Sequence, residues 1–248
     1  DGLHHLYRVD ELARYVRGGV FLPRGCGEFS FGYGAPVFLF YNPLSYYLAL
    51  PFTPIGSLAA TKAAMALAAL LSAGAMFAYA RRHAPAPVAL LAVLVYLYLP
   101  YRLVDLYVRA AFAEHVAFIW FPLMLLASDR IAELPTLRRV GDSAGAVAGF
   151  ALAWTGLLLT HTFSAVMFAP FSAAYLLWLA WRQRNPQPLA LAALGGLLAI
   201  GLSAFFWWPL LSEQVYAGLG SGAISTGYRA HLVTLRQLIG ALRYDYTT

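Results

Sequence analysis

Lysine is nearly missing from this chain: Lys62 is one of seventeen basic residues, and the other sixteen are arginines. Charge of either sign is scarce. Only 11% of the 248 residues are Asp, Glu, Lys or Arg, where a soluble domain carries about 25%. With 61% hydrophobic residues, a soluble all-helical domain would lack the polar surface to cover several buried helices. The single cysteine, Cys26, excludes an internal disulfide and leaves the redox compartment unread. No GxxxxGK(S/T), HExxH or paired CxxC motif occurs and no serine-hydrolase elbow is expected, so ATP hydrolysis, zinc proteolysis and serine hydrolysis lose support. No signal peptide is read within the sequence, and the chain is expected to be a fragment of a longer protein.

What is present is oil in long runs. The stretches 57–80, 86–100, 116–128, 144–160, 163–181 and 188–211 are almost free of charge. Crossing about 30 Å of hydrocarbon takes roughly 20 helical residues, and flanking apolar residues such as Ala110–Ala113 complete the shorter runs. A helix closes its own backbone hydrogen bonds in lipid. The expected fold class is therefore an all-α polytopic membrane protein with about six transmembrane helices over 57–211. Residues 36–56 are apolar and aromatic but interrupted by Pro36, Pro43, Pro51 and Pro54, which predicts a re-entrant or interfacial segment closing the 1–56 region. Residues 212–248 are expected to follow as an extracytoplasmic segment, cut short at Thr248.

The arginines lie mainly between apolar spans, and no basic–aromatic alternation appears, so the lipid bilayer is the expected partner and nucleic acid is not. Three connections on one side hold Arg81, Arg82, Arg130, Arg138, Arg139, Arg182 and Arg184 in short loops, which marks that side as cytoplasmic. Raw totals run the other way, ten to seven, once the long opening segment and the tail are counted. Parity is independent of that choice. It brings the opening DGLHHLYRVDEL, the 101–115 connection, the 161–162 turn and the region from 212 onward to one face, whereas the opposite face is expected to hold only arginine-rich loops.

On that face, Asp1, His4 or His5, and Arg8 share a stripe if the opening is helical. A carboxylate beside imidazole and guanidinium suits a general base or a metal ligand; a solvated helix start is the plainer alternative. Arg102, Asp105 and Arg109 follow at i, i+3 and i+7, with Glu114 and His115 beyond. They read either as an Asp105–Arg109 ion pair fixing the loop, or as a second carboxylate working with Asp1 beside arginines that hold phosphate. His161 sits in a tight turn between Thr160 and Thr162, and Glu213 follows the aromatic FFWWP end of the last span. No charge is expected at mid-span.

HHLYR after Asp1, Gly19 to Arg24, SFGYGAPVFLFYNPLSYYL, RAAFAEHVAF, THTFSA and FFWWPLLSEQ occur in that order. Together they resemble the bacterial "6-pyruvoyl-tetrahydropterin synthase-related" integral-membrane family, which is similar to the GT-C class of membrane glycosyltransferases. The resemblance implies a GT-C-like bundle in the bacterial cytoplasmic membrane, with its site on the extracytoplasmic side. It implies sugar transfer from a polyprenyl-phosphate carrier to an acceptor, with Asp1 as the loop acid, tuned by His4 or His5, and with Arg8, Arg102 and Arg109 on the carrier phosphate. A divalent metal is implied only where Glu114 or Asp105 adds a second carboxylate to Asp1, because Gly2 stands where a second adjacent acid is common. Tyr33 and Tyr41 would line the acceptor or carrier groove. A lipid-linked sugar flippase or a non-catalytic scaffold are the alternatives.

Overall fold

The structure, a computed structural model, describes residues 2–134 and 140–217, and every regular element among them is helical. The chain opens with α1 (Gly2–Arg17). A loop follows, closed by a single backbone bridge between Cys26 and Ala35. The proline-rich stretch then breaks into α2 (Val37–Phe40), α3 (Leu44–Ala49) and a 3₁₀ turn, Leu50–Ile55. None of these is long enough to span a bilayer, as expected where proline recurs every few residues.

The long helix α4 (Ser57–Ala80) begins at Gly56, whose φ of 94° is open to glycine and strained for other residues. Its 24 residues cover about 36 Å. Ala60, Ala64, Ala68, Ser72 and Ala75 are its buried stripe, and small side chains at that spacing let neighbouring helices approach closely. α5 (Ala86–Leu97) stops where Pro100 forces Leu99 to an extended ψ of 129°. The chain restarts at 45° as α6 (Pro100–Val104), running into a π-helical turn, Asp105–Arg109. α7 (Phe112–Ala117) and α8 (Trp120–Ala132) form one span. They are followed by α9 (Val140–Thr160), α10 (Thr162–Gln183), α11 (Gln187–Leu202) and α12 (Ala204–Glu213).

Four helices are long and apolar enough to cross a membrane, or up to six if each of two bent pairs is one span. The chain thus has the make-up of an integral membrane protein. The α7–α8 span is the interior one, with 72% of its apolar window buried against 28% for α4. Residues of the opening segment belong to the same core: Val9, Leu12, Phe38 and Tyr46 pack with Ala60, Ala64 and Phe112. Two compact units are distinguishable, Asp1–Trp207 and Trp208–Thr248.

Close approach is most demanding at Gly156 on α9, where a Cβ would stand 2.4 Å from the Trp120 indole. That indole is pinned by its Nε1 donating to Thr160 Oγ1 at 2.8 Å, so it cannot simply swing aside. Gly156→Ala is expected to destabilise the bundle by about 1–3 kcal/mol through overpacking, despite alanine's better helix propensity. A drop in thermal midpoint in detergent micelles, reversed in part by Trp120→Phe, checks it.

Two expectations about charge are corrected here. The end of the bundle holding the 81–85 connection carries more than arginine-rich loops. Asp129, 4% exposed, accepts from Tyr175 Oη at 2.6 Å, stands 2.8 Å from His83 Nε2 and pairs with Arg82 at 3.6 Å. Arg82 also pairs with Glu133. The carboxylate thereby ties α8 to α10 and to the chain leaving α4. Charge also enters the spans: Arg102, 2% exposed, donates to Ser72 Oγ at 2.6 Å, about 22 Å along α4 from its start.

Candidate functional site

The site is built by the bend after α5. α6 starts at Pro100 with fixed φ, and the π turn that follows puts Asp105 and Arg109 on one side. Ala110 then adopts a left-handed φ of 49° and reverses the chain into α7. Glu114, in the first turn of α7, thereby returns to Arg109. The guanidinium Nη1 lies 3.1 Å from Asp105 Oδ1 and 3.0 Å from Glu114 Oε2. Tyr101 donates its hydroxyl to Glu114 Oε1, and Arg109 Nη1 is 3.3 Å from that hydroxyl. Asp105 is fully buried, whereas the Glu114 and Arg109 side chains keep 15% and 36% exposure. The cluster therefore has a closed floor and an open mouth. The Asp105–Arg109 pair, one of the two readings the sequence left open, forms, and Glu114 joins it.

At that mouth a groove of about 180 Å³ runs along Tyr101, Glu114, Phe118, Phe121, Ser164 and Phe168, with Met167 and Phe171 on its rim. Glu114, Tyr101 and Ser164 are its polar members and the other lining residues are apolar, with Phe121 stacked on Phe168 at 4.7 Å. Met167 and Phe171 are about 70% exposed, so the groove is open on its α10 side. Reading the sequence missed it, although Ser164, Met167, Phe168 and Phe171 recur at i, i+3, i+4 and i+7 on α10, a one-sided helical pattern.

His161 caps α10: its Nδ1 accepts from the Ser164 backbone at 3.3 Å and lies 2.7 Å from Ser164 Oγ. Burial lowers its pKa, and the opposed charges of Glu114 and Arg109 both act on it, which places the imidazole within electrostatic reach of the cluster. Asn42 ties the opening segment to the same turn, donating to Thr162 Oγ1 at 2.9 Å and to the Leu158 carbonyl. A Cβ on Gly2 would stand 3.4 Å from the Ala110 Cβ, so the start of α1 adjoins the turn between Arg109 and Glu114. The 101–115 connection, the 161 turn and the start of α1 thus do converge.

Asp1, the expected loop acid, lies outside the described residues. His4 is exposed, while His5 is buried with Nδ1 2.8 Å from Tyr46 Oη. The same hydroxyl accepts from Arg8 Nη1 at 3.0 Å, and the Arg8 guanidinium lies 3.9 Å over the Tyr41 ring. Arg8 and Tyr41 thereby belong to a knot with His5 and Tyr46. Arg102 is held at Ser72, with its guanidinium 4.9 Å from the Phe118 ring, and is 2% exposed. Tyr33 is not among the residues lining this groove; it is 93% exposed beyond a run of left-handed backbone at Ser30, Phe31 and Gly32. Glu213 ends α12 in the second unit.

The string Gly141-Asp142-Ser143-Ala144-Gly145 has the spelling of a serine-hydrolase elbow, contrary to the expectation that none occurs. It lies within α9, without the strand and sharp turn that expose a nucleophile. No three His, Cys, Asp or Glu side chains among the described residues stand together as metal ligands. Asp105 and Glu114 are bridged by a guanidinium, a donor set that does not fit a metal.

The knot around His5 has a measurable consequence. Burial, and then the charge of Arg8, lower the His5 pKa from 6.5 to about 4. Between those values the unfolded chain binds the extra proton, so stability rises with pH across that window and is constant above it. Acidification from pH 7 to pH 4 is expected to cost up to about 3 kcal/mol through this group. Unfolding of His5→Phe compared with the parent across that range checks it, and the variant should lose that part of the slope.

Compared with known protein families, curated proteins and solved structures, the chain matches none.

Proposed function

We propose that the chain carries the site of a membrane glycosyltransferase, moving a sugar from a polyprenyl-phosphate carrier to an extracytoplasmic acceptor. The observation behind this reading is the open groove, lined mostly by apolar side chains, that includes Glu114. An isoprenoid tail fits the phenylalanine walls, and entry from the bilayer brings its polar end to Tyr101, Glu114 and Arg109. Glu114 takes the proton of the acceptor hydroxyl while that oxygen bonds to the anomeric carbon of the sugar. The bond from that carbon to the phosphate oxygen breaks, and polyprenyl phosphate leaves with the electron pair. Arg109 and Tyr101 hold the carboxylate in place. The resemblance to GT-C enzymes supports the same reading and adds Asp1 as a further acid in the opening loop. Placing this mouth on the extracytoplasmic face of the bacterial cytoplasmic membrane belongs to the proposal.

The second reading is translocation of the lipid-linked sugar. Arg102 and Asp105, buried inside the helical bundle, favour it, because ionisable groups within spans mark transport paths. One experiment separates the two. Full-length protein in liposomes is given a polyprenyl-phosphate sugar labelled in the sugar. Transfer of label to an added or endogenous acceptor supports the transferase, movement of intact carrier without transfer supports the flippase, and neither removes both.

A further inference from the structure

Arg102, Asp105 and His115 are each at most 2% exposed, and each keeps one buried atom without a hydrogen bond among the described residues: Arg102 Nη1, Asp105 Oδ2 and His115 Nδ1. An orphaned polar atom in a bundle interior costs about 1–3 kcal/mol, more when charged. Three in one place call for a common partner.

The backbone puts them in one place. The Asp105 carbonyl accepts from Ala111 N at 3.0 Å, and the Arg102 guanidinium lies 4.9 Å from the Phe118 ring. Asp105 thus borders the start, and the Arg102 guanidinium the end, of the 111–118 stretch, and His115 lies between those two points. α4 gives the same answer. His115 Nε2 is 3.1 Å from the Met65 carbonyl, and Arg102 Nη2 is 2.6 Å from Ser72 Oγ. Met65 and Ser72 are two turns apart on one face. The Met65 carbonyl points toward Ser72, and the Ser72 side chain leans back toward Met65, which narrows the gap. The charge of Arg102 acts on both Asp105 and His115.

Chemistry then selects the occupant. His115 Nε2 faces a carbonyl, so it carries the hydrogen, and Nδ1 of the neutral ring is an acceptor. The three orphans are one donor, Arg102 Nη1–H, and two acceptors, Asp105 Oδ2 and His115 Nδ1. An anion would face two acceptors, and a metal cation would face an N–H. A water molecule accepts once and donates twice, which satisfies all three.

We propose that one ordered water is bound in the bundle interior, bridging Arg102 Nη1, Asp105 Oδ2 and His115 Nδ1. It extends the line Glu114–Arg109–Asp105 from the open mouth to His115, and it hydrates an arginine that otherwise sits in a dry span. The site does not depend on what the mouth transfers.

The test is proton-detected solid-state NMR of the full chain in lipid bilayers, with labelled histidine. His115 is expected to show an unprotonated, hydrogen-bonded Nδ1 and a magnetisation-transfer peak from bound water. Arg102→Met removes the donor and should abolish that peak in chains that still fold. A dry Nδ1, or a direct contact from Arg102 to Asp105 that leaves no water peak in the parent protein, overturns the proposal without reference to any variant.

Discussion

Glu114→Gln is expected to lower sugar transfer by about 10²–10⁴-fold, the usual contribution of a general base, while leaving the amount of folded protein unchanged. The amide keeps the shape of the carboxylate. Its oxygen still accepts from Tyr101 or Arg109, the two groups that hold Glu114, so the loop should stay in place. What disappears is the lone pair that can take a proton from a neutral hydroxyl. The loss should fall on kcat, with KM for the carrier little changed, because in the proposed binding mode the tail lies against Phe118, Phe121 and Phe168 of the groove instead. Tyr33→Ala serves as the control, since that side chain is 93% exposed. The assay is initial rate against carrier concentration in proteoliposomes, with Asp1→Asn in parallel. Full activity in Glu114→Gln together with loss in Asp1→Asn would move the base to the opening loop.

The bundle was legible in the sequence because a bilayer allows few alternatives. An uncharged run of about 20 residues has one economical conformation in lipid, and each of the six runs begins or ends within a few residues of an observed helix. The prolines of 36–56 broke that stretch as expected. Parity joined the 101–115 and 161–162 connections, and the i, i+4 spacing gave the Asp105–Arg109 pair. What was illegible depends on partners distant in sequence. His5 and Arg8 share a stripe on α1, but Tyr46, 41 and 38 residues away, captures both. Arg102 reads as a loop residue until Pro100 is seen to restart the helix inward. Asp129 looks like an ordinary span end, and its burial under His83 and Tyr175 follows from how three helices meet. Tyr33 reads as an aromatic groove residue, while the left-handed backbone at Ser30 and Phe31 carries it outward. Local periodicity gives the face of a helix; it does not say which distant side chain will occupy that face.

Arg109→Leu should give the largest loss of stability of any single change at the mouth. Asp105 is fully buried, and among the described residues its Oδ1 is bonded by Arg109. Removing the guanidinium leaves that carboxylate beside Glu114 with no bonded cation, and breaking a buried pair from one side costs about 3–5 kcal/mol. Part of the penalty is relieved because Glu114 can turn to solvent, its side chain being 15% exposed; Asp105 has no such exit. Removing both members is a different matter. Arg109→Leu with Asp105→Leu takes away the charge as well as its partner, and such replacements are often close to neutral. The double variant should therefore be more stable than Arg109→Leu alone, a sign reversal that a merely exposed ion pair cannot produce, since those contribute about 0–1 kcal/mol. Equilibrium unfolding in mixed micelles measures both. If the double variant falls as far as the sum of the two singles, the pair is uncoupled and the cluster is not what organises the turn. If it recovers, the buried carboxylate is the costly element. The chain then retains it at a site where an apolar pair would serve stability equally well, and that retention points to use of the charge at the open mouth above it.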